Sequence, residues 1–189
     1  MGDVELPILG TEPLVVEFAN TLYGDDDFLG TTALATLWFT EAGAQPARDT
    51  SAARALRDSI HTLFAATVTG TTPPAAAIVH VNAVAAEAPT SPQMIRRSSG
   101  ALVADSRRGA ATGDAALLGG LATACIELLT GGRTRLLRRC EGPDCCLFFV
   151  QHHPRRRYCH ESCAHRDRQA RYYRRRATTA APAGESSPK

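Results

Sequence analysis

Five of the six cysteines, Cys140, Cys145, Cys146, Cys159 and Cys163, fall within 24 residues, and only Cys125 lies apart. The spacing Cys140-x4-Cys145, thirteen residues, then Cys159-x3-Cys163 makes two close pairs separated by enough chain for one hairpin. Four thiolates so arranged suit a closed tetrahedral zinc site. A disulfide framework would need an oxidising compartment. The start Met1-Gly2-Asp3-Val4-Glu5 is acidic where an export signal would be basic, so a cytoplasmic protein with reduced thiols is expected. The expected ligands are Cys140, Cys145, Cys159 and Cys163. Cys146 could stand in for Cys145, which is preferred because it directly follows the Gly142-Pro143-Asp144 turn. His152, His153, His160 and His165 are near enough in sequence to replace a thiolate. A catalytic zinc needs an open coordination position. Four cysteines argue against one, so the zinc is expected to be structural and the protein not an enzyme.

The second chemistry is cationic. Residues 1–132 carry 7 Arg against 14 acidic residues and residues 133–176 carry 13 Arg against 4, so the net charge of +2 conceals −7 followed by +9. Arginine grips phosphate and guanine edges with paired hydrogen bonds. On a helix running from Cys163 to about Arg176, Arg166, Ala170, Tyr173 and Ala177 fall within about 40° of one another and Arg168, Arg171 and Arg175 lie opposite, beside Tyr172. The first stripe is expected to pack, making Arg166 structural. The second, with Arg155 and Arg156 from the preceding hairpin, is expected to contact a polyanion. Competing readings are a zinc-stabilised interaction module binding an acidic partner, and a redox sensor using Cys146 or Cys125.

These residues need a scaffold, and the composition, 44% hydrophobic and 21% charged, is that of a globular chain with no run near the roughly 20 apolar residues of a membrane span. Apolar spacing predicts helices over 13–22, from Thr31 or Thr32 to Gly43, over 49–68, from Pro73-Pro74 to Ala88, and from Asp114 to Thr130. Residues 93–105 read as a small hairpin around Ser98-Ser99-Gly100. Asp25-Asp26-Asp27 reads as a solvated turn, His61 and His80 as filling residues, and Asn20-Thr21 as side chains bonding backbone at a helix end. In the cysteine-rich segment, Leu147–Val150 and Arg156–Tyr158 are expected to pair as strands, with Cys163 opening the basic helix. The fold class is mainly α with small β. A helical domain over 1–132 precedes a treble-clef-like four-cysteine finger over 133–176 and a disordered tail over 177–189.

Cys140-x4-Cys145, Leu147-Phe148-Phe149, Arg156-Arg157-Tyr158-Cys159 and Cys163-Ala164-His165-Arg166 resemble the CGNR zinc-finger family of bacterial proteins. Leu14-Val15-Val16-Glu17-Phe18-Ala19-Asn20-Thr21 and Leu128-Leu129-Thr130-Gly131 resemble the opening motif and last helix of its ABATE domain. The resemblance implies a stress-induced transcription regulator whose finger binds DNA, which makes Arg155, Arg156, Arg168, Arg171, Tyr172 and Arg175 the expected DNA contacts; the N-terminal domain is expected to sense a small-molecule effector or to form a homodimer. Only Cys163 and Arg166 of the Cys-Gly-Asn-Arg signature are retained.

Overall fold

Six α-helices and three two-stranded antiparallel sheets make up residues 6–180, the part of the chain described by the computed structural model. In order they are α1 (Leu14–Ala19), β1 (Leu22–Tyr23), β2 (Asp26–Asp27), α2 (Thr32–Glu41), α3 (Thr50–Thr69), α4 (Ala75–Glu87), β3 (Thr90–Arg96), β4 (Leu102–Arg108) and α5 (Gly113–Thr130). A short 3-10 turn (Thr134–Leu136), β5 (Leu137–Arg139), β6 (Phe148–Val150) and α6 (Glu161–Ala180) complete the chain. The helix ends follow the sequence's own punctuation. Thr31 accepts the N–H of Leu34 to cap α2, Asp49 accepts those of Ser51 and Ala52 to cap α3, and Gly70 closes α3 at a left-handed φ of 68°.

The core forms where α3 and α5 bury their apolar stripes against α1, α4 and each other. By length and composition α5 could cross a membrane, contrary to the sequence reading, but its Leu118, Leu121, Ala122, Cys125 and Leu128 are buried inside the protein. Gly119 in its middle is there for close approach, since a Cβ would lie 2.4 Å from that of Ala88 at the end of α4. Burial alone pushes the Cys125 thiol up to about 12, so this residue fills the core and is a poor redox nucleophile.

The apolar core continues past Gly131. Leu137, Phe148 and Val150 belong to the same buried cluster as the helices, while Leu147 and Phe149 turn to the cysteines. Strand β6 is thus buried on both faces, which explains its unbroken apolar run. Its pairing differs from the sequence expectation. The partner is β5, which precedes the cysteine turn, with Leu137 opposite Val150 and Arg139 opposite Phe148. Residues 156–158 form no strand. The reason lies at β6's other edge, which three side chains close. Asn20 accepts the Phe148 N–H at 2.8 Å and donates to its carbonyl at 3.0 Å, Glu12 accepts the Val150 N–H at 2.7 Å, and Arg156 donates to the Val150 carbonyl at 3.2 Å. Asn20 does bond backbone, as expected, but 128 residues away.

Asp25-Asp26-Asp27 is not simply a solvated turn. Asp26 and Asp27 pair with Tyr23 and Leu22, and Asp27 takes two bonds from Arg57 (2.9 and 3.1 Å) and an ion pair from Arg54. Burial disfavours its charge, but the Arg57 bonds, the Leu29 N–H and Arg54 outweigh it and hold the carboxyl below its ordinary value. Arg57 is almost completely buried, among Ala53, Leu56 and Ile60. Its place on that apolar stripe was the available signal that it needed an acidic partner.

His61 packs edge-on against Phe148, with ring centroids 5.1 Å apart. Burial, then the charges of Arg139 and Arg57, lower its pKa. The unfolded chain therefore binds the proton first, and the stability His61 contributes, full above pH 6.5, is lost as pH falls below it. We expect unfolding free energy to decline between pH 7.5 and 5.5 by at most about 1.4 kcal/mol per pH unit from this group. Denaturant titrations at both values check this, and the His61→Leu variant should show a smaller decline.

Candidate metal centre

The Glu141–Asp144 turn, whose ends carry Cys140 and Cys145, the loop before α6 with Cys159 and the first turn of α6 with Cys163 bring the four cysteines together, all buried, with their four Sγ atoms within 4.8 Å of one another. Cys145 and Cys159 are 3.7 Å apart at sulfur, Cys159 and Cys163 3.6 Å. A tetrahedron with Zn–S bonds of about 2.3 Å has edges of about 3.8 Å. The donor set and its size therefore fit zinc, which is the cofactor of this chain. The expected turn chemistry is also present: the N–H groups of Gly142 and Cys159 point at Cys140 Sγ, 3.4 and 3.3 Å away. A Cβ on Gly142 would fall 2.8 Å from Cys163 Cβ, so only glycine lets the turn close on the helix. Asp144 takes a left-handed φ of 58° to deliver Cys145.

Hydrogen bonds among the sulfurs cannot by themselves ionise four adjacent thiols. The Cys145 and Cys159 thiols, followed by the Cys159 and Gly142 N–H groups, hold Cys140 down to about 2. In return the bond to Cys140 pushes Cys145 up to about 12 and Cys159 higher still. Bound zinc supplies the positive charge that allows all four to coordinate as thiolates.

Cys146 is outside the cluster. Its Sγ lies 3.4 Å from the Gly24 N–H and 3.9 Å from the Leu22 carbonyl, pinning β1 to the finger. The histidines stay outside too: His160 bonds Ser162, His165 bonds Gln169 and His153 accepts the Arg155 N–H.

The arginines are put to different uses. Arg156 departs furthest from the DNA-contact expectation. It donates to the carbonyls of Tyr158, Val150 and Cys159, stacks 4.6 Å over the Phe149 ring, and pairs at 2.7 Å with Glu12, whose side chain has no exposure. Its nitrogens hold the finger to the N-terminal segment. Arg157 pairs with Glu141. Arg166 donates to Cys163 Sγ at 3.0 Å and bonds Tyr23, joining a ligand-bearing turn to β1. Arg155, Arg168, Arg171, Tyr172 and Arg175 are exposed, with Arg171 also paired to Asp167 at 2.9 Å.

The stripe expected to pack does so only in part: Ala170 is partly covered, but Arg166 and Tyr173 are exposed, Tyr173 by 67%, and the other covered positions are Cys163, Ala164 and Asp167. The covered side chains of α6 lie in its first turns. There Asp167 accepts the Tyr158 hydroxyl, a contact that moves the buried line one position round from the Arg166 stripe. The helix also passes the expected end at Arg176 and continues to Ala180, since Ala177-Thr178-Thr179-Ala180 holds no glycine or proline. Residues 181–189 of the expected tail lie outside the described residues.

A cleft of about 670 Å³ separates the zinc centre from the N-terminal segment, lined by Ile8, Leu9, Tyr23, Phe28, His160 and Arg166 among others.

A search of curated proteins finds no match to this chain. Two family profiles do match: ABATE, described as "Putative stress-induced transcription regulator", over residues 12–132, and the CGNR zinc finger over residues 136–176. Neither is an enzyme family. With the first covering well over half of the sequence and the second enclosing all four clustered cysteines, the chain belongs to the ABATE family and carries a C-terminal CGNR zinc finger.

Proposed function

We propose that this is a zinc-dependent DNA-binding transcription regulator, with Arg168, Arg171, Arg175 and Tyr172 of α6, and Arg155 before it, as the contact residues. The observation that carries the reading is the exposure of α6. Residues 171–176, Arg-Tyr-Tyr-Arg-Arg-Arg, are exposed at every position, on a helix whose start is anchored by Cys163 and Arg166. Arg176 lies 5.4 Å over the Tyr172 ring, which keeps an aromatic face beside the cationic one. A rigid basic helix held at one end by a metal centre suits a DNA groove. The body over 1–132 is the regulatory part in this reading, and the cleft beside Tyr23 and Arg166 is where a small effector would meet both parts.

Binding of the zinc-loaded protein to duplex DNA should weaken log-linearly with salt, by about 0.9 in slope for each phosphate contacted. Replacing Arg168, Arg171 and Arg175 with alanine should lower that slope by about 2 to 3 while leaving zinc content unchanged. Fluorescence anisotropy across a salt series measures both. A wild-type affinity indifferent to salt would remove the phosphate-contact reading and leave an interaction module for an acidic protein in its place.

A further inference from the structure

The β3–β4 hairpin is the part of the acidic body that neither the zinc centre nor the core uses. Four of the seven arginines in residues 1–132 lie in it or its turn, Arg96, Arg97, Arg107 and Arg108, against Asp105 alone. The remainder of those residues holds three arginines against thirteen acids, and two of the three, Arg54 and Arg57, are committed to Asp27. A basic element has thus been set on an acidic body, and it is displayed. Every residue of β3 is exposed, as are Arg97 and Arg107, and no other element among the described residues packs appreciably on the hairpin. The pleat puts Met94 (74% exposed), Arg96 and Leu102 (65% exposed) on one face, since Met94 and Arg96 alternate with Ile95 and Leu102 lies opposite Arg96.

A free two-stranded hairpin is marginal in water, and large apolar side chains on it call for a covering surface. The positive charge decides which kind. We propose that this hairpin is a second DNA-contacting element, with Arg96 and Arg97 on the phosphates and the face of Met94, Arg96 and Leu102 against the minor groove. Arginines combined with apolar wedges are how proteins hold that groove. The inference rests on the DNA-binding reading of the finger.

The test uses the full zinc-loaded chain, a fluorescent 30-base-pair duplex and a salt series, comparing wild type with the double variants R96A/R97A and R96K/R97K. The alanine variant should bind at least about tenfold more weakly at low salt, with a slope lower by about 2, and the lysine variant should keep the wild-type slope. Zinc content and melting temperature should be unchanged in both. Hydroxyl-radical footprints should show two protected stretches for wild type and one for the alanine variant. If wild type binds DNA and the alanine variant binds with the same slope, the hairpin inference is overturned while the finger reading stands. An unchanged slope with a dimer-to-monomer shift in sedimentation also overturns it, assigning the hairpin to an interface between copies. Equal loss in the lysine and alanine variants overturns the charge argument. No DNA binding by wild type overturns the finger reading and this inference together.

Discussion

Chelating the zinc is expected to lower the unfolding midpoint of the whole chain by roughly 10 °C or more, and not merely to unravel its last forty residues. The finger has little core of its own: Leu147, Phe149 and the cysteines form its buried cluster. Structural zinc in finger peptides contributes about 10–16 kcal/mol of apparent folding free energy, comparable to the net stability of an entire domain. Without it, only N–H contacts to sulfur, the Arg166 bond to Cys163 and the Arg157–Glu141 pair hold this turn. The loss then spreads through β6, because Phe148 packs against Phe64 and His61 in the main core and Val150 is buried in the same cluster. Withdrawing a buried Phe costs about 3–5 kcal/mol, and a chain of this size loses about 2–4 °C per kcal/mol. Calorimetry with and without a chelator should give one transition that moves as a unit, and Cys140→Ser should reproduce the chelated trace. A helical body that melts at the same temperature with and without zinc would show that the two parts are not coupled.

Arg156→Ala is expected to destabilise the folded chain by about 3–5 kcal/mol. The variant leaves Glu12, with a fully covered side chain, as a buried carboxylate without its 2.7 Å partner. It also strips donors from the carbonyls of Val150, Tyr158 and Cys159 and removes the cation from the Phe149 face. Breaking one half of a buried pair is far more costly than removing both halves. Adding Glu12→Gln to Arg156→Ala should therefore recover part of the loss, and a double-mutant cycle by denaturant titration measures it. Under the same conditions, Arg168→Ala should leave stability within about 0.5 kcal/mol of wild type. If Arg156→Ala also left stability intact but weakened DNA binding, the contact role expected from sequence would be restored to Arg156.

Much of the molecule was legible in its sequence because the deciding interactions are local. Helices α2, α3 and α5 lie within a residue or two of the limits set by apolar period, capping Thr31 and Asp49, and terminating Gly70 and Gly131. The clustering of four cysteines was legible for the same reason. Two short cysteine pairs with a Gly-Pro turn in one and a helix start in the other can converge with little help from the rest of the chain. Cys146 was separable from Cys145 by the turn that precedes it.

What only the tertiary structure decided were the long-range pairings. Neither Asn20 nor Glu12 carries a local sign that it will occupy the edge of a strand more than 120 residues later. That occupation sends β6 to β5 in place of residues 156–158. Arginine has one side chain for several uses, and composition counts them alike: Arg57 and Arg156 are spent inside the protein, Arg166 on a zinc ligand, and Arg168, Arg171 and Arg175 reach the surface. The residue types and spacing were sufficient to say that the chain holds zinc and segregates its charge. Which arginines remain outside to act on a partner depends on where buried carboxylates and carbonyls need a cation, and that is settled only when the chain has packed.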